Sequence, residues 1–380
     1  MAAKKTNKEI ENRYVEEDKT IVQERNDFLL PQILDFVNDR KWMNLQPEYQ
    51  RRQVWDRTRR SKFIESLLMN LPVPQVFLFE PEYSRYEVMD GQQRLGTIVD
   101  FYSNKFKLTG LDRWPELNNK AYGDLPPLLR RGLDRRRMSA VVLQSNSGQD
   151  GDDTIRRLVF ERLNTGGQKL NAQELRNCLY SGEFATLLVS LAGTPKFNDM
   201  LEMPRYKDYL LEGHVGTELA ENTLFKRMLD CEIVLRFFAF RSSKSIKGAV
   251  KSILDNCMNR YKAEDKKQVE KLRTLFLTRL DLAHSMFGID AFKIRTHDRE
   301  GVLSKEYKLS IPFYDGVMIA CDRLYDHRVD LIKKAKAIRR SLEALAKDAK
   351  YYEIIVARAN TADYIKRRLE LIESAFAKAL

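Results

Sequence analysis

The sequence predicts an α+β N-terminal half followed by an all-helical C-terminal half, and two observations carry that reading. Short apolar runs of strand type at Gln75–Glu80, Tyr86–Met89 and Ser139–Gln144 alternate with helical periodicities as far as about residue 180. From about Phe184 onward strand signals nearly vanish, and apolar residues recur at helical spacing to Lys378. A chain of 380 residues with 43% hydrophobic content is long enough for two cores. The expected division is a flexible leader over 1–25, an α+β domain over 26–185 and a helical domain over 186–380.

The elements follow in order. Residues 1–25 are polar and charged. Phe28–Trp42 suits a short helix through Ile33, Leu34, Phe36 and Val37. Leu45–Trp55 reads as an extended arm, because Pro47 holds Gln46 out of helix. Thr58–Leu71 is an amphipathic helix with Phe63, Ile64, Leu67, Leu68 and Leu71 on one face, ended by Pro72 and Pro74. After the hairpin formed by the first two strands, Asp90-Gly91 breaks the chain into a helix over Gln92–Tyr102. The polar stretch Ser145–Asp153 is a loop, and Ile155–Leu163 is helical. Asn164-Thr165-Gly166-Gly167 turns sharply, and Asn171 with Glu174 forms a capping box for a helix over Ala172–Leu179. Leu224–Phe240 is apolar almost all round, which marks a buried central helix.

Charge narrows the functional classes. A formal net charge of +12 suits a polyanion partner such as DNA or RNA, although a soluble basic protein needs none. Cys178, Cys231, Cys257 and Cys321 are far apart with no C-x-x-C pair, which argues against zinc and for buried free thiols. No apolar signal core and no run of membrane-spanning length is present, so a soluble cytoplasmic protein without a membrane partner is expected.

Four segments carry chemistry. A strand ending in Asp90-Gly91 and feeding a helix aims free backbone N–H groups and the helix dipole at the loop mouth, an anion site. Arg94 in the first turn can fork two donors onto a phosphate, and Gln92 and Gln93 add neutral donors. Gly91 allows close approach to the backbone. Asp90 can hold a metal ion, orient a water or merely cap the helix. In the arm, Tyr49, Arg52 and Trp55, with Arg57, Arg59 and Arg60 following, suit DNA contact through phosphates and stacked bases. An edge strand with Tyr49 and Trp55 on the core reads equally well. Around the third turn, Asn164, Thr165, Arg176 and Asn177 either complete a phosphate pocket or serve structure alone. The basic stretch Arg130–Arg137 is a nucleic-acid contact or a solvated helix end.

Three of these motifs, in this order, resemble the ParB/sulfiredoxin superfamily and, more narrowly, the N-terminal domain of GmrSD-type restriction endonucleases. They are Pro47-Glu48-Tyr49-Gln50-Arg51 with Trp55, Asp90-Gly91-Gln92-Gln93-Arg94, and Arg162-Leu163-Asn164-Thr165-Gly166-Gly167 continuing through Leu170–Asn177. The resemblance covers roughly residues 30–185. It implies a small mixed sheet, nucleotide binding and hydrolysis, and a place in bacterial antiviral defence and DNA restriction. Carried over by position, Asp90 and Arg94 become catalytic. Gly91, Gln92, Gln93, Gln50, Arg51, Asn164, Thr165 and Arg176 become nucleotide-binding, with a nucleoside triphosphate as substrate and Mg²⁺ held through Asp90. Full-length members often add an HNH nuclease, but His214, His284, His297 and His327 show no such spacing, so DNA cleavage would require a partner nuclease subunit or an unrecognised site. Two alternatives stand beside the NTPase: a non-catalytic DNA-binding sensor that recruits a nuclease, and a metal-dependent DNA-nicking enzyme. An oligomer is compatible with each.

Overall fold

The computed structural model describes residues 6–18, 21–45, 55–145, 158–159, 162, 171–180, 182–206, 210–211, 214–215, 217–297, 303–356 and 361–380. The chain divides into two compact units, Met1–Lys169 and Leu170–Leu380.

The first unit runs α1 (Asn7–Asp18), β1 (Ile21–Leu29), α2 (Leu30–Asn38), β2 (Met43–Asn44), α3 (Arg57–Leu68), β3 (Val76–Glu82), β4 (Arg85–Asp90), α4 (Gln92–Tyr102), α5 (Pro127–Asp134) and β5 (Arg137–Ser145). Its five-stranded sheet has the order β1-β5-β3-β4-β2 and is mixed. β1 pairs antiparallel with β5, β5 parallel with β3, β3 antiparallel with β4, and β4 parallel with β2. The core beside it joins Val76, Leu78, Val88, Ala140 and Val142 of the strands to Ile33, Ile64, Leu67, Leu95, Ile98 and Phe101 of the helices. Burying these side chains contributes about 1.5–3 kcal/mol each for the larger ones. Asp56 caps α3 by accepting the Arg59 amide at 2.7 Å. Arg136 closes the other end of α3, donating to the carbonyls of Leu67 and Leu68 at 3.0 Å each. One member of the basic stretch over 130–137 is therefore a helix cap.

The start of the first unit departs from expectation, since residues 7–18 of the expected leader form α1. Residues 21–25, read as leader, belong to β1, which pairs along nine residues with β5. The strand runs Gln-Glu-Arg-Asn-Asp at its centre and lies at the edge of the sheet, so it shows little apolar alternation.

The second unit is mostly helical: α6 (Ala172–Leu179), α7 (Glu183–Ala192), α8 (Pro195–Met200), α9 (Thr217–Glu221), α10 (Thr223–Lys226), α11 (Leu229–Phe240), α12 (Val250–Tyr261), α13 (Lys266–Phe287), α14 (Ile311–Arg323), α15 (Arg328–Lys333), α16 (Ala335–Lys347), α17 (Ala349–Ile355) and α18 (Ala362–Ala377). Two short antiparallel pairs interrupt the helices, β6 (Leu210–Leu211) with β7 (His214–Val215), and β8 (Lys293–His297) with β9 (Leu303–Leu309). The apolar run over 224–240 is not one helix, because Met228 takes φ +53 and splits α10 from α11. α11 is buried along nearly its whole length, as its all-round apolar sequence requires. α14 and α18 approach closely at Gly316, where an added Cβ would lie 2.1 Å from Ile372 Cδ1. Among the described residues no helix is long and apolar enough to cross a membrane.

Candidate functional site

The Asp90–Arg94 loop is built as its sequence suggests, a strand running into a helix through a single glycine. β4 ends at Asp90 and α4 starts at Gln92. Gly91 between them has φ +99, a left-handed conformation that favours glycine. Its missing side chain has a second reason that the sequence does not show. An added Cβ would sit 2.4 Å from Val76 Cγ1, so the core strand β3 already fills that space.

Asp90 and Arg94 face each other across the first turn. Arg94 Nη2 donates to Asp90 Oδ2 at 2.8 Å and to the Gln75 carbonyl at 3.2 Å. The Arg94 side chain is 15% exposed and that of Asp90 39%. Arg94 Nε is buried and has no hydrogen-bond partner among the described residues. A guanidinium thus lies beside the amino end of α4, where the dipole favours anions, with one carboxylate as counter-charge.

The two glutamines do more than add donors. Gln92 Nε2 donates to the Leu45 carbonyl at 2.7 Å, and Gln93 Oε1 accepts the Trp55 amide at 3.0 Å. Leu45 and Trp55 flank residues 46–54, so adjacent side chains of α4 hold the chain on both sides of the arm. Sequence reasoning missed this pairing, because it joins residues separated by 47 and 38 positions.

The remaining candidates separate. Tyr49, Gln50, Arg51, Arg52, Asn164 and Thr165 lie outside the described residues. Trp55 packs edge-on against Phe63 at 5.4 Å, and Arg59 lies over its ring at 5.0 Å. Arg57 and Arg59 are exposed. Arg60 is held inside the unit, paired with Asp100 at 2.6 Å and stacked over Phe106 at 4.2 Å. Arg176 belongs to the second unit and is 2% exposed. Its guanidinium bonds Asp255 at 2.8 Å, Glu232 at 3.0 Å and Gln173 at 3.1 Å. The capping box expected at α6 forms, with Asn171 Oδ1 accepting the Gln173 and Glu174 amides and Glu174 accepting the Asn171 amide.

Residues 32–181 match the model described as the GmrSD restriction endonuclease, N-terminal domain. Over that stretch the chain is similar to a GmrSD-type N-terminal domain. The matched stretch includes the whole of β4, Gly91 and α4, and it runs past Lys169 to the end of α6. No curated protein and no solved structure matches the chain.

Metal capacity follows from the donor set. Among the described residues no three His, Cys, Asp or Glu side chains converge into a metal-binding group. Asp90 is a single carboxylate with one oxygen on Arg94. This does not form an all-protein cage, but it fits an ion held partly by a ligand's phosphates, the usual habit of Mg²⁺.

Proposed function

We propose that the GmrSD-type domain binds a nucleoside triphosphate at the Asp90–Arg94 loop and hydrolyses it, and that the chain acts in DNA restriction as part of antiviral defence. The observation that carries this reading is the Asp90–Arg94 pair at the start of α4 inside the matched domain. The helix start supplies backbone donors, and Arg94 supplies a charge that a phosphate can share. Phosphoryl transfer needs positioned donors and charge stabilisation more than a strong nucleophile, and this loop offers both. Mg²⁺ held by Asp90 and the phosphates would neutralise charge on the leaving group. Asp90 itself orients Arg94 and presents its second oxygen to a water. The +12 charge is the reason to place DNA among the partners. A partner nuclease subunit would make the cut.

The test is phosphate release from ATP, GTP and CTP, with and without DNA, by the full chain and by Asp90→Ala and Arg94→Ala. The expected result is nucleotide-dependent release by wild type, lost in both variants. No binding or release by wild type, or full activity in both variants, overturns the assignment.

A further inference from the structure

We propose that the solvent face of α16 is a contact for the sugar–phosphate backbone of duplex DNA. This rests on the reading that the chain acts on DNA, and it assigns part of that task to the helical unit. From Arg328 to Lys350 the sequence holds eight basic and three acidic residues. The packing sorts them. Ile338, Leu342 and Ala346 are fully buried and fix the inner face of α16. Lys336, Arg340 and Ala344 lie two positions from these residues, about 200° round the helix, and all three are exposed together with Lys347. The cations therefore share one outer stripe.

Each of the three acids of this stretch has another partner. Asp330 lies 3.9 Å from Lys333. Glu343 accepts the Tyr307 hydroxyl and lies 4.0 Å from Arg339. Asp348 caps α17 by accepting the Lys350 amide at 2.9 Å. Lys336, Arg340 and Lys347 have no ion pair among the described residues.

The shape of the stripe selects the polyanion. Lys336 and Lys347 are separated by about 17 Å along the axis, a span over which duplex DNA presents about ten charges. The stripe holds no aromatic or large apolar residue. Protein interfaces are anchored by such residues, and membrane-surface helices insert them. Ala344 and the partly exposed Glu343, whose carboxylate is held by Tyr307 and Arg339, lie among the charges. A contact of this kind reads phosphates and not base edges, so its contribution is the same for every sequence.

The experiment measures binding of a labelled duplex to the full chain across a salt titration. It compares wild type, Lys336→Ala/Arg340→Ala/Lys347→Ala, and a control with the same loss of charge, Lys247→Ala/Lys267→Ala/Lys271→Ala, at other exposed lysines of the unit. The expected result is a slope of log affinity against log salt reduced by about 2–3 in the α16 variant. Affinity at low salt should fall more than tenfold, and the control should stay near wild type. Equal effects in both variants, or none in the α16 variant, overturn the proposal and leave the stripe to an acidic protein. Nucleotide hydrolysis is followed in the same samples. A chain that splits nucleotide but binds no duplex sinks this contact while the loop assignment stands.

Discussion

Arg94 and Asp90 are joined by a 2.8 Å hydrogen bond across the first turn of α4, with the Gln75 carbonyl as a second acceptor for the same nitrogen. The carboxylate therefore offsets the charge that a phosphate would use. Removing each partner should have opposite effects on binding. Arg94→Ala deletes a charge-assisted donor worth about 1.5–3 kcal/mol, so nucleotide affinity should fall about 10- to 100-fold. Asp90→Asn keeps the shape and releases Arg94, so affinity for the nucleotide without Mg²⁺ should hold or rise while turnover with Mg²⁺ falls by about 100-fold or more. Fluorescent-nucleotide titration beside phosphate release separates the two quantities. Equal weakening of binding in both variants would contradict this division of roles between Asp90 and Arg94.

Gly91 is constrained twice, by φ +99 and by Val76. Gly91→Ala should cost about 1–2 kcal/mol for the left-handed backbone and about 1–3 kcal/mol more for overpacking. Val76→Ala in the same chain should return the overpacking part and leave the backbone part. Urea unfolding of the single and double variants reads this coupling. Strict additivity would show that the two residues do not compete for the same space.

How much of this was legible can be judged from particular elements. α3, β5, α4 and the α6 capping box follow from periodicity and local caps, which act within a few residues. β1 was hidden because an edge strand tolerates a polar centre, and the break at Met228 because no Gly or Pro marks it. At the site, the strand–glycine–helix shape was readable, since it lies within a few consecutive residues. The bonds from Gln92 and Gln93 to Leu45 and Trp55 were not, because they depend on how β2 and α3 return to the sheet. The packing of Val76 on Gly91 was hidden for the same reason.

Arg176 illustrates a motif residue whose local setting is a buried ion cluster of the helical unit. Arg176→Ala would leave Asp255 and Glu232 without their shared cation. The expected loss is about 3–5 kcal/mol, seen as a lower melting temperature. Nucleotide affinity per folded molecule should not change. Reduced affinity at unaltered stability would instead give Arg176 a direct role in the ligand site.

Alkaline pH should weaken the fold through a pair of tyrosines. Tyr102 and Tyr122 stack at 4.4 Å, and both hydroxyls donate to Asp134 Oδ1, at 3.0 and 2.8 Å. Burial raises both phenols, and Asp134 adds to the effect through charge and hydrogen bonding. Tyr122 is pushed up to about 12, and Tyr102 is raised further. In the unfolded chain each phenol ionises near its ordinary value of about 10. Between these values the folded protein keeps protons that the unfolded chain has released. The contribution to stability is therefore whole below about pH 10 and declines as pH rises toward 12. Tyr102→Phe/Tyr122→Phe removes both ionisations, so its stability should fall less steeply over that interval, although it starts lower for want of two hydrogen bonds. Urea midpoints at about pH 8 and about pH 11 test the difference. Parallel losses in wild type and variant would mean that these phenols ionise in the folded state as readily as in the unfolded one.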